Sequence, residues 1–169
     1  MITIDDDFIY PSSLIEELVD LNSKFPKAIC CHRAFEIKRN GEKIAPYVEW
    51  CNMMLNVEPT YDVFFTSGGG TLFPAHCFSE EVLNRDLFME SCKFADDVWL
   101  NVMAQLNKTQ TVKVDSLLEN IMPIIINDNI ELSSVNVGEG MNDMQLKKIL
   151  SYLKKDKNLD WGIFKYKIN

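Results

Sequence analysis

The sequence predicts an α/β domain in which helices flank a mixed β-sheet, with residues 1–169 forming a single domain. Short apolar, β-prone runs alternate along the chain with segments whose apolar residues repeat at helical spacing. A chain of 169 residues suits one domain, and 47% hydrophobic residues are enough to build a core. No internal repeat or low-complexity stretch interrupts this pattern.

Charge and cysteine content argue against several classes of protein. The chain has 25 acidic and 17 basic residues, whereas a nucleic-acid-binding protein usually shows a basic face. The five cysteines include no C-x-x-C pair, so neither a disulfide framework nor a zinc ribbon is expected. No apolar run approaches the ~18 residues of a membrane span, and residues 1–5 lack the basic start of a signal peptide. We therefore expect a cytoplasmic protein.

The amino-terminal segment predicts a strand, an acidic loop and a helix, which together make the βα unit of a layered domain. Residues 1–4 are apolar and β-prone and run into three aspartates, so we expect a buried strand that ends in carboxylates. Ser13 and Glu16 have the spacing of a capping box and predict the start of the helix. The helix should end before Pro26, because proline disfavours helical geometry in the preceding residue.

Local patterns predict the remaining elements. Apolar residues alternate over residues 28–38, which predicts one strand with a single apolar face, and Asn40-Gly41 marks a tight hairpin turn. Further strands are expected at residues 62–66, 71–73, 111–114 and 124–126, helical character over 78–94, helices from Asp96 and Asn142 onward, and a short helix or ordered loop within 46–55.

The adjacent carboxylates of Asp5, Asp6 and Asp7 are the first candidate for a functional site. Ligands bind α/β sheets at the carboxyl ends of strands, where we expect this triplet to lie. Adjacent carboxylates repel one another unless a cation or a donor lies between them. A hard divalent cation, Mg²⁺ or Mn²⁺, suits these oxygen ligands and would in turn hold a diphosphate. The alternative is an exposed acidic turn that caps the next helix.

The run Ser67-Gly68-Gly69-Gly70 lies between two predicted strands and is the second candidate. Consecutive glycines permit positive φ and let backbone N–H groups come close to a ligand. The run has neither the P-loop pattern nor the G-x-G-x-x-G spacing. A bulged turn is the alternative interpretation.

The third candidate is the pair Asp96 and Asp97 at a predicted helix start. One of the two is expected to cap the helix, because a carboxylate there stabilises the exposed amides. A carboxylate in this place can also serve as a general base for a nearby hydroxyl. Trp50 is a candidate for stacking on a sugar ring, with a place in the core as the alternative.

Taken in order, these segments resemble bacterial glycosyltransferases of the GT-A fold, which carry a D-x-D motif and act in polysaccharide biosynthesis. The similarity is carried by D-D-D-x-x-Y-P at residues 5–11, G-G-G-x-L-x-P at 68–74 and A-D-D-x-W at 95–99. It also takes in residues 29–33, 46–50 and 136–146. The resemblance implies a partial GT-A-like domain, the acceptor-side portion, because the D-x-D motif lies so near residue 1 that the preceding nucleotide-binding half is expected to be absent.

The resemblance also implies partners and roles. The substrates would be a nucleotide-sugar donor and a glycan or lipid-linked glycan acceptor, the latter bringing peripheral membrane contact. The resemblance implies that Asp7 and Asp5 bind Mn²⁺ or Mg²⁺ and that Asp5 and Asp6 bind the donor. It implies that a sugar pocket is lined by Gly68, Gly69, Gly70 and Trp50. Asp97 or Asp96 would activate the acceptor hydroxyl.

Two alternatives to a complete transferase stay open at this point. One is a catalytically incomplete fragment that acts by association, either as a homo-oligomer through the strand edge at residues 1–4 or with a separate N-terminal partner chain. The other is a metal-dependent phosphohydrolase, since such enzymes also place aspartates after a first apolar strand.

Overall fold

The computed structural model describes residues 1–41, 43–52, 58–115, 121–124 and 140–157, and these contain four α-helices and eleven short strands. The helices are α1 (Leu14–Lys24), α2 (Arg85–Ser91), α3 (Asp96–Leu106) and α4 (Met141–Lys157). The strands are β1 (Ile2–Thr3), β2 (Phe8–Ile9), β3 (Ile29–Cys31), β4 (Ala34–Glu36), β5 (Arg39–Asn40), β6 (Lys43–Ile44), β7 (Cys51–Asn52), β8 (Val63–Phe65), β9 (Thr71–Leu72), β10 (Thr111–Lys113) and β11 (Met122–Pro123).

The main sheet is mixed, which confirms the predicted α/β class with a mixed sheet. Its strand order is β1-β9-β3-β10, in which β9 is antiparallel to both of its neighbours and β10 is parallel to β3. A second, antiparallel sheet has the order β7-β4-β8. The pairs β2–β11 and β5–β6 complete the described strands.

Residues 28–38 form two strands in different sheets, so the prediction of one alternating strand is wrong. A bend at His32 and Arg33 separates β3, in the main sheet, from β4, in the second sheet. All three residues of β3 are buried. Ile29 belongs to the cluster between the two sheets, whereas Cys30 packs against Leu18 of α1. Because both faces of β3 are covered, its polarity does not alternate.

The first strand lies at an edge of the main sheet, so the prediction of a buried strand is wrong as well. Within the described residues β1 pairs with β9 alone, through Ile2 opposite Leu72 and Thr3 opposite Thr71. Met1 and Ile4 are 77% and 56% exposed. The strand β2 lies between β1 and α1, so the predicted βα unit is interrupted.

Several local predictions are confirmed, and one is wrong. The hairpin turn at Asn40-Gly41 joins β5 to β6, and α1 ends at Lys24, ahead of Pro26. Strands over 62–66, 71–73 and 111–114 and helices from residues 96 and 141 are present. The capping box is not formed, because the Ser13 hydroxyl donates to the Glu17 carboxylate (2.6 Å) rather than accepting from the backbone.

Other predictions are resolved only in part. The helical character expected over 78–94 divides into a 3-10 helix, Glu80–Leu83, and α2. A short 3-10 helix, Tyr47–Glu49, lies within 46–55. Residues 53–55, 125–126 and 136–139, on which parts of the predicted elements and of the resemblance fall, lie outside the described residues. Among the described helices, none has the length and apolar character needed to cross a membrane.

The largest hydrophobic cluster joins helices α2, α3 and α4 to the second sheet. Leu87, Trp99 and Ile149, one from each helix, pack there with Phe64 of β8. Helix α1 covers the opposite side of the molecule, where Leu18 packs against the main sheet. Helix α3 therefore lies directly beside β8, with its first turn near the segment that follows this strand.

Asn101 fastens α3 to the edge strand β8. Its side-chain oxygen accepts a hydrogen bond from the Phe65 N–H (3.1 Å), and its Nδ2 donates to the Phe65 carbonyl (2.8 Å) and to the Asp97 carbonyl (2.8 Å). The side chain thus pairs with both backbone groups of Phe65, as a neighbouring strand would. It also fixes the start of α3, because Asp97 lies one turn before it.

We expect Asn101→Ala to lower the free energy of unfolding by about 2–4 kcal/mol, since it leaves both buried backbone groups of Phe65 unpaired. Gln105→Ala is the matched control, because this side chain lies one turn further along α3 and makes one such bond, to the Tyr61 carbonyl (3.2 Å). Its loss should be about 1 kcal/mol. Urea unfolding of the two variants measures the difference, and equal losses would contradict this account.

Candidate functional site

The segment between β8 and β9, here called the glycine bend (residues 67–70), is where the three candidate motifs meet. Ser67–Gly69 form one turn of 3-10 helix, and Gly70 has a φ of 89°, which a residue with a side chain rarely adopts. All three glycines are buried. The bend begins two residues after Phe65, the last residue of β8, and Asn101 of α3 bonds to Phe65. This contact anchors the start of the bend to α3.

Asp5 lies directly against Gly68. A Cβ atom built on Gly68 would stand 1.7 Å from Oδ2 of Asp5, so only glycine permits this approach. The Tyr10 hydroxyl accepts from the Asp5 N–H (2.8 Å) and donates to the Gly68 carbonyl. The Thr3 hydroxyl donates to the Ser67 carbonyl (2.8 Å) on the other side of Asp5. These bonds fasten the start of the acidic triplet to the glycine bend.

Asp97 is bound to the first residue of the same bend. Its Oδ1 accepts from the backbone N–H of Ser67 (2.7 Å) and from the Ser67 hydroxyl (2.6 Å). The pKa of this half-buried carboxylate is raised to about 6, and burial is the largest cause. The charges of Asp96 and Asp5 also raise the pKa, whereas the two hydrogen bonds from Ser67 lower it. Asp97 is therefore half protonated near pH 6 and mostly ionised at pH 7, and it binds the bend from the side of α3.

The expectation that Asp96 or Asp97 caps α3 is wrong, because neither side chain makes a capping bond. The N-cap residue is Ala95, which has no side-chain acceptor. Asp97 instead bonds to Ser67, and the exposed Asp96 accepts from the Asp97 N–H (3.0 Å). The structure thereby separates the two aspartates: Asp97 belongs to the bend, and Asp96 faces solvent.

The charges of Asp6, Asp7 and Asp96 all affect the pKa of Asp5. Partial burial of Asp5 against the bend is the main cause that raises its pKa, followed by the charges of Asp7, Asp96 and Asp6. Asp5, Asp6 and Asp7 are all exposed residues, although the Asp5 carboxylate lies against Gly68. Arg33 acts in the opposite direction and lowers the pKa of Asp5. Five aspartates and one arginine therefore share one electrostatic environment.

Asp5 and Asp7 are the residues at which the sequence predicts a divalent cation. Among the described residues, no group of three or more His, Cys, Asp or Glu side chains is arranged to hold a metal ion. Mg²⁺ and similar cations are commonly bound by one or two carboxylates, with waters and substrate phosphates as the other ligands. Two carboxylates at an acidic edge fit that type of site and do not form a complete protein cage.

The structure corrects the predicted sugar contact of Trp50. Trp50 is only 7% exposed, its ring packs against Tyr47 and Phe64, and its Nε1 donates to the Ala45 carbonyl (2.9 Å). It is a core residue without an open face for a sugar. Beside each glycine, where a Cβ would stand, lies a side chain of this chain: Asp5 beside Gly68, Arg33 beside Gly69 and Leu14 beside Gly70.

Arg33 and Tyr10 have no predicted role from their sequence patterns, whereas Tyr47, like Trp50, is a candidate for stacking on a sugar ring with a place in the core as the alternative. Arg33 follows β3 and packs on Gly69, and Tyr10 joins Asp5 to Gly68. Burial raises the pKa of Tyr47 to about 12, with a further contribution from the charge of Asp97. Its backbone N–H donates to the Asp143 carboxylate (3.0 Å). Tyr10, Arg33 and Tyr47 all lie inside the segments that carry the resemblance, which was the signal available for them.

Comparison with known proteins identifies no relative: the chain matches no protein-family model, no curated protein and no solved structure. The interpretation of this site therefore depends on its own geometry.

We expect Gly69→Ala to destabilise the chain by about 1–3 kcal/mol, because a Cβ there would stand 2.4 Å from the Cβ of Arg33. Gly69→Ser should cost more, since the steric conflict grows with size. Gly41 is the control: nothing lies within 4 Å of its Cβ position and its φ is 67°. There the cost comes from backbone strain, so Ala and Ser should cost the same. Thermal melting of the four variants tests this, and a loss at Gly69 that does not depend on side-chain size would argue against the packing.

The pKa of Asp97 predicts a pH-dependent loss of stability. Its folded-state pKa of about 6 exceeds the ordinary 3.8, so the folded state holds the proton more tightly than the unfolded state. Stability from this group is therefore lost as the pH rises from about 4 to about 6 and stays constant above that range. Asp97→Asn keeps the acceptor for Ser67 but does not titrate. We expect the melting temperature of the wild type to fall relative to this variant across that window; parallel curves would refute the raised pKa.

Proposed function

We propose that the chain contributes the acceptor-side catalytic region of a metal-dependent glycosyltransferase, which moves a sugar from a nucleotide-sugar to a glycan or lipid-linked glycan acceptor. The observation that carries this proposal is the convergence on the glycine bend of Asp5 and Asp97, which lie far apart in the sequence. Each of the three motifs taken alone could serve a structural purpose, but no such purpose requires the acidic triplet, the glycines and Asp97 to lie together.

Asp97 has the properties of a general base in this proposal. A base works best when its pKa lies near the working pH, and burial raises the pKa of Asp97 to about 6. Ser67 binds Oδ1, so the carboxylate has a fixed orientation and Oδ2 is the oxygen that an acceptor hydroxyl can approach. As the hydroxyl oxygen bonds to the anomeric carbon of the sugar, the bond from that carbon to the donor diphosphate breaks, the diphosphate leaves with the electron pair, and the hydroxyl proton passes to Asp97.

Asp5 and Asp7 have the role of holding Mn²⁺ or Mg²⁺ in this proposal. Such a cation, when bound, neutralises the negative charge that develops on the leaving diphosphate. The chain's own contribution is to set Asp5 against the bend through Tyr10, so that the donor diphosphate and Asp97 meet the same sugar. A cation would also relieve the repulsion among the aspartates that raises the pKa of Asp5.

Donor binding provides the first test. We expect Mn²⁺ together with a nucleoside diphosphate, taken from a panel of the common bases, to raise the melting temperature, because a ligand that binds only the folded state stabilises it. Asp7→Ala should abolish this shift. Asp20→Ala is the matched control, since Asp20 is an exposed aspartate of α1, and it should keep the shift. Absence of a shift with every nucleotide would contradict the proposal.

The same variants separate binding from chemistry. Asp97→Asn should keep the nucleotide-dependent shift but lower transfer to a glycan acceptor by at least about 100-fold, because general-base catalysis contributes roughly that much. Hydrolysis of a generic phosphate ester that is lost in Asp5→Asn, without sugar transfer, would instead show a phosphohydrolase.

A further inference from the structure

Arg33 is the cationic side chain that the glycine bend places beside the acidic triplet. It is half-buried, and a Cβ on Gly69 would stand 2.4 Å from the Cβ of Arg33 and 3.2 Å from its Cδ. The preceding residue, Gly68, packs in the same manner on the Asp5 carboxylate. Consecutive Cα atoms are about 3.8 Å apart, so one short turn of backbone determines the positions of both side chains.

Within the described part of the chain, the guanidinium of Arg33 forms no salt bridge with a carboxylate. The salt bridges found there join His32 to Glu17, Arg39 to Asp62 and Lys148 to Glu90. The Cζ of Arg33 lies 5.9 Å from the centroid of the Phe35 ring. Arg33 as a whole residue is half-buried, and its guanidinium carries five N–H donors that require hydrogen-bond acceptors.

We propose that the guanidinium of Arg33 binds a phosphate group of the donor diphosphate, on the side opposite the cation held by Asp5 and Asp7. This inference rests on the proposed function. Arginine presents its donors in a planar fork that matches two phosphate oxygens, which makes such contacts both strong and oriented. The diphosphate would thus be held between a metal ion on one side and a guanidinium on the other.

The position of Arg33 favours the diphosphate over an acidic group on the sugar or on the acceptor. Asp5 is the residue proposed to hold the cation, and Asp5 and Arg33 pack on the adjacent glycines Gly68 and Gly69. The proposal requires that a phosphate bound to the cation reaches the Arg33 guanidinium. The Phe35 ring on one side and Gly69 on the other restrict the arginine stem, so the guanidinium is preorganised for this contact.

Titration calorimetry with magnesium pyrophosphate tests the contact without assuming a nucleoside or a sugar. We expect Arg33→Met, which keeps an unbranched stem on Gly69 but removes the charge, to weaken binding by at least about tenfold. Arg33→Lys should be intermediate, because a point charge lacks the bidentate geometry. Arg85→Met is the matched control: Arg85 is an exposed residue at the start of α2, and its loss should leave the affinity unchanged.

The outcomes distinguish this inference from the proposed function. Equal affinity of wild type and Arg33→Met for magnesium pyrophosphate overturns the inference, while an Asp7-dependent nucleotide shift would still support the transferase. Failure of the wild type to bind pyrophosphate also overturns the inference, and failure to bind any nucleotide as well overturns both. If Arg33→Met melts too early to be measured, Arg33→Lys decides: an affinity equal to that of the wild type counts against the contact, and a loss of several-fold supports it.

Discussion

The close approach of backbone and side chains at residues 68 and 69 is the constraint on which this site depends. A side chain at either position would occupy the space that Asp5 and Arg33 now fill. The bend is fixed from the opposite side by Ser67, whose N–H and hydroxyl both bind Asp97, and by Asn101, which pairs with the strand just before it. Secondary-structure hydrogen bonds alone would leave this segment as a simple connection between two strands.

Electrostatics around the bend are unfavourable for folding and favourable for binding a cation. Partial burial, followed by the charges of neighbouring carboxylates, raises the pKa of Asp5, and burial raises that of Asp97 to about 6. An arrangement that only served stability would separate these charges, since clustered like charges destabilise the folded state. Functional sites commonly retain such unfavourable arrangements because the ligand relieves them. The clustered aspartates therefore support the proposed transferase region. The positive charge of Arg33 opposes their repulsion in part, since it lowers the pKa of Asp5.

The sequence alone was informative wherever the signal was local. The Asn40-Gly41 hairpin, the end of α1 before Pro26 and the apolar face of α3 follow from turn chemistry and helical spacing within a few residues. Its errors arose where a distant segment decides the outcome. The strand β3 is covered on both faces by residues from other parts of the chain, and Trp50 packs against Phe64 of β8. No window of neighbouring residues contains that information.

For the candidate site, the available residue types can be read directly from the sequence: the acidic triplet, the run of glycines and the later pair of aspartates, in that order. The contacts of these residues follow from the fold, because burial and contact depend on which segments meet. It joined Asp97 to Ser67, left Asp96 in solvent and brought Arg33 against Gly69. The sequence shows that a glycine can adopt a turn, but the side chain that packs beside it comes from a distant segment of the chain.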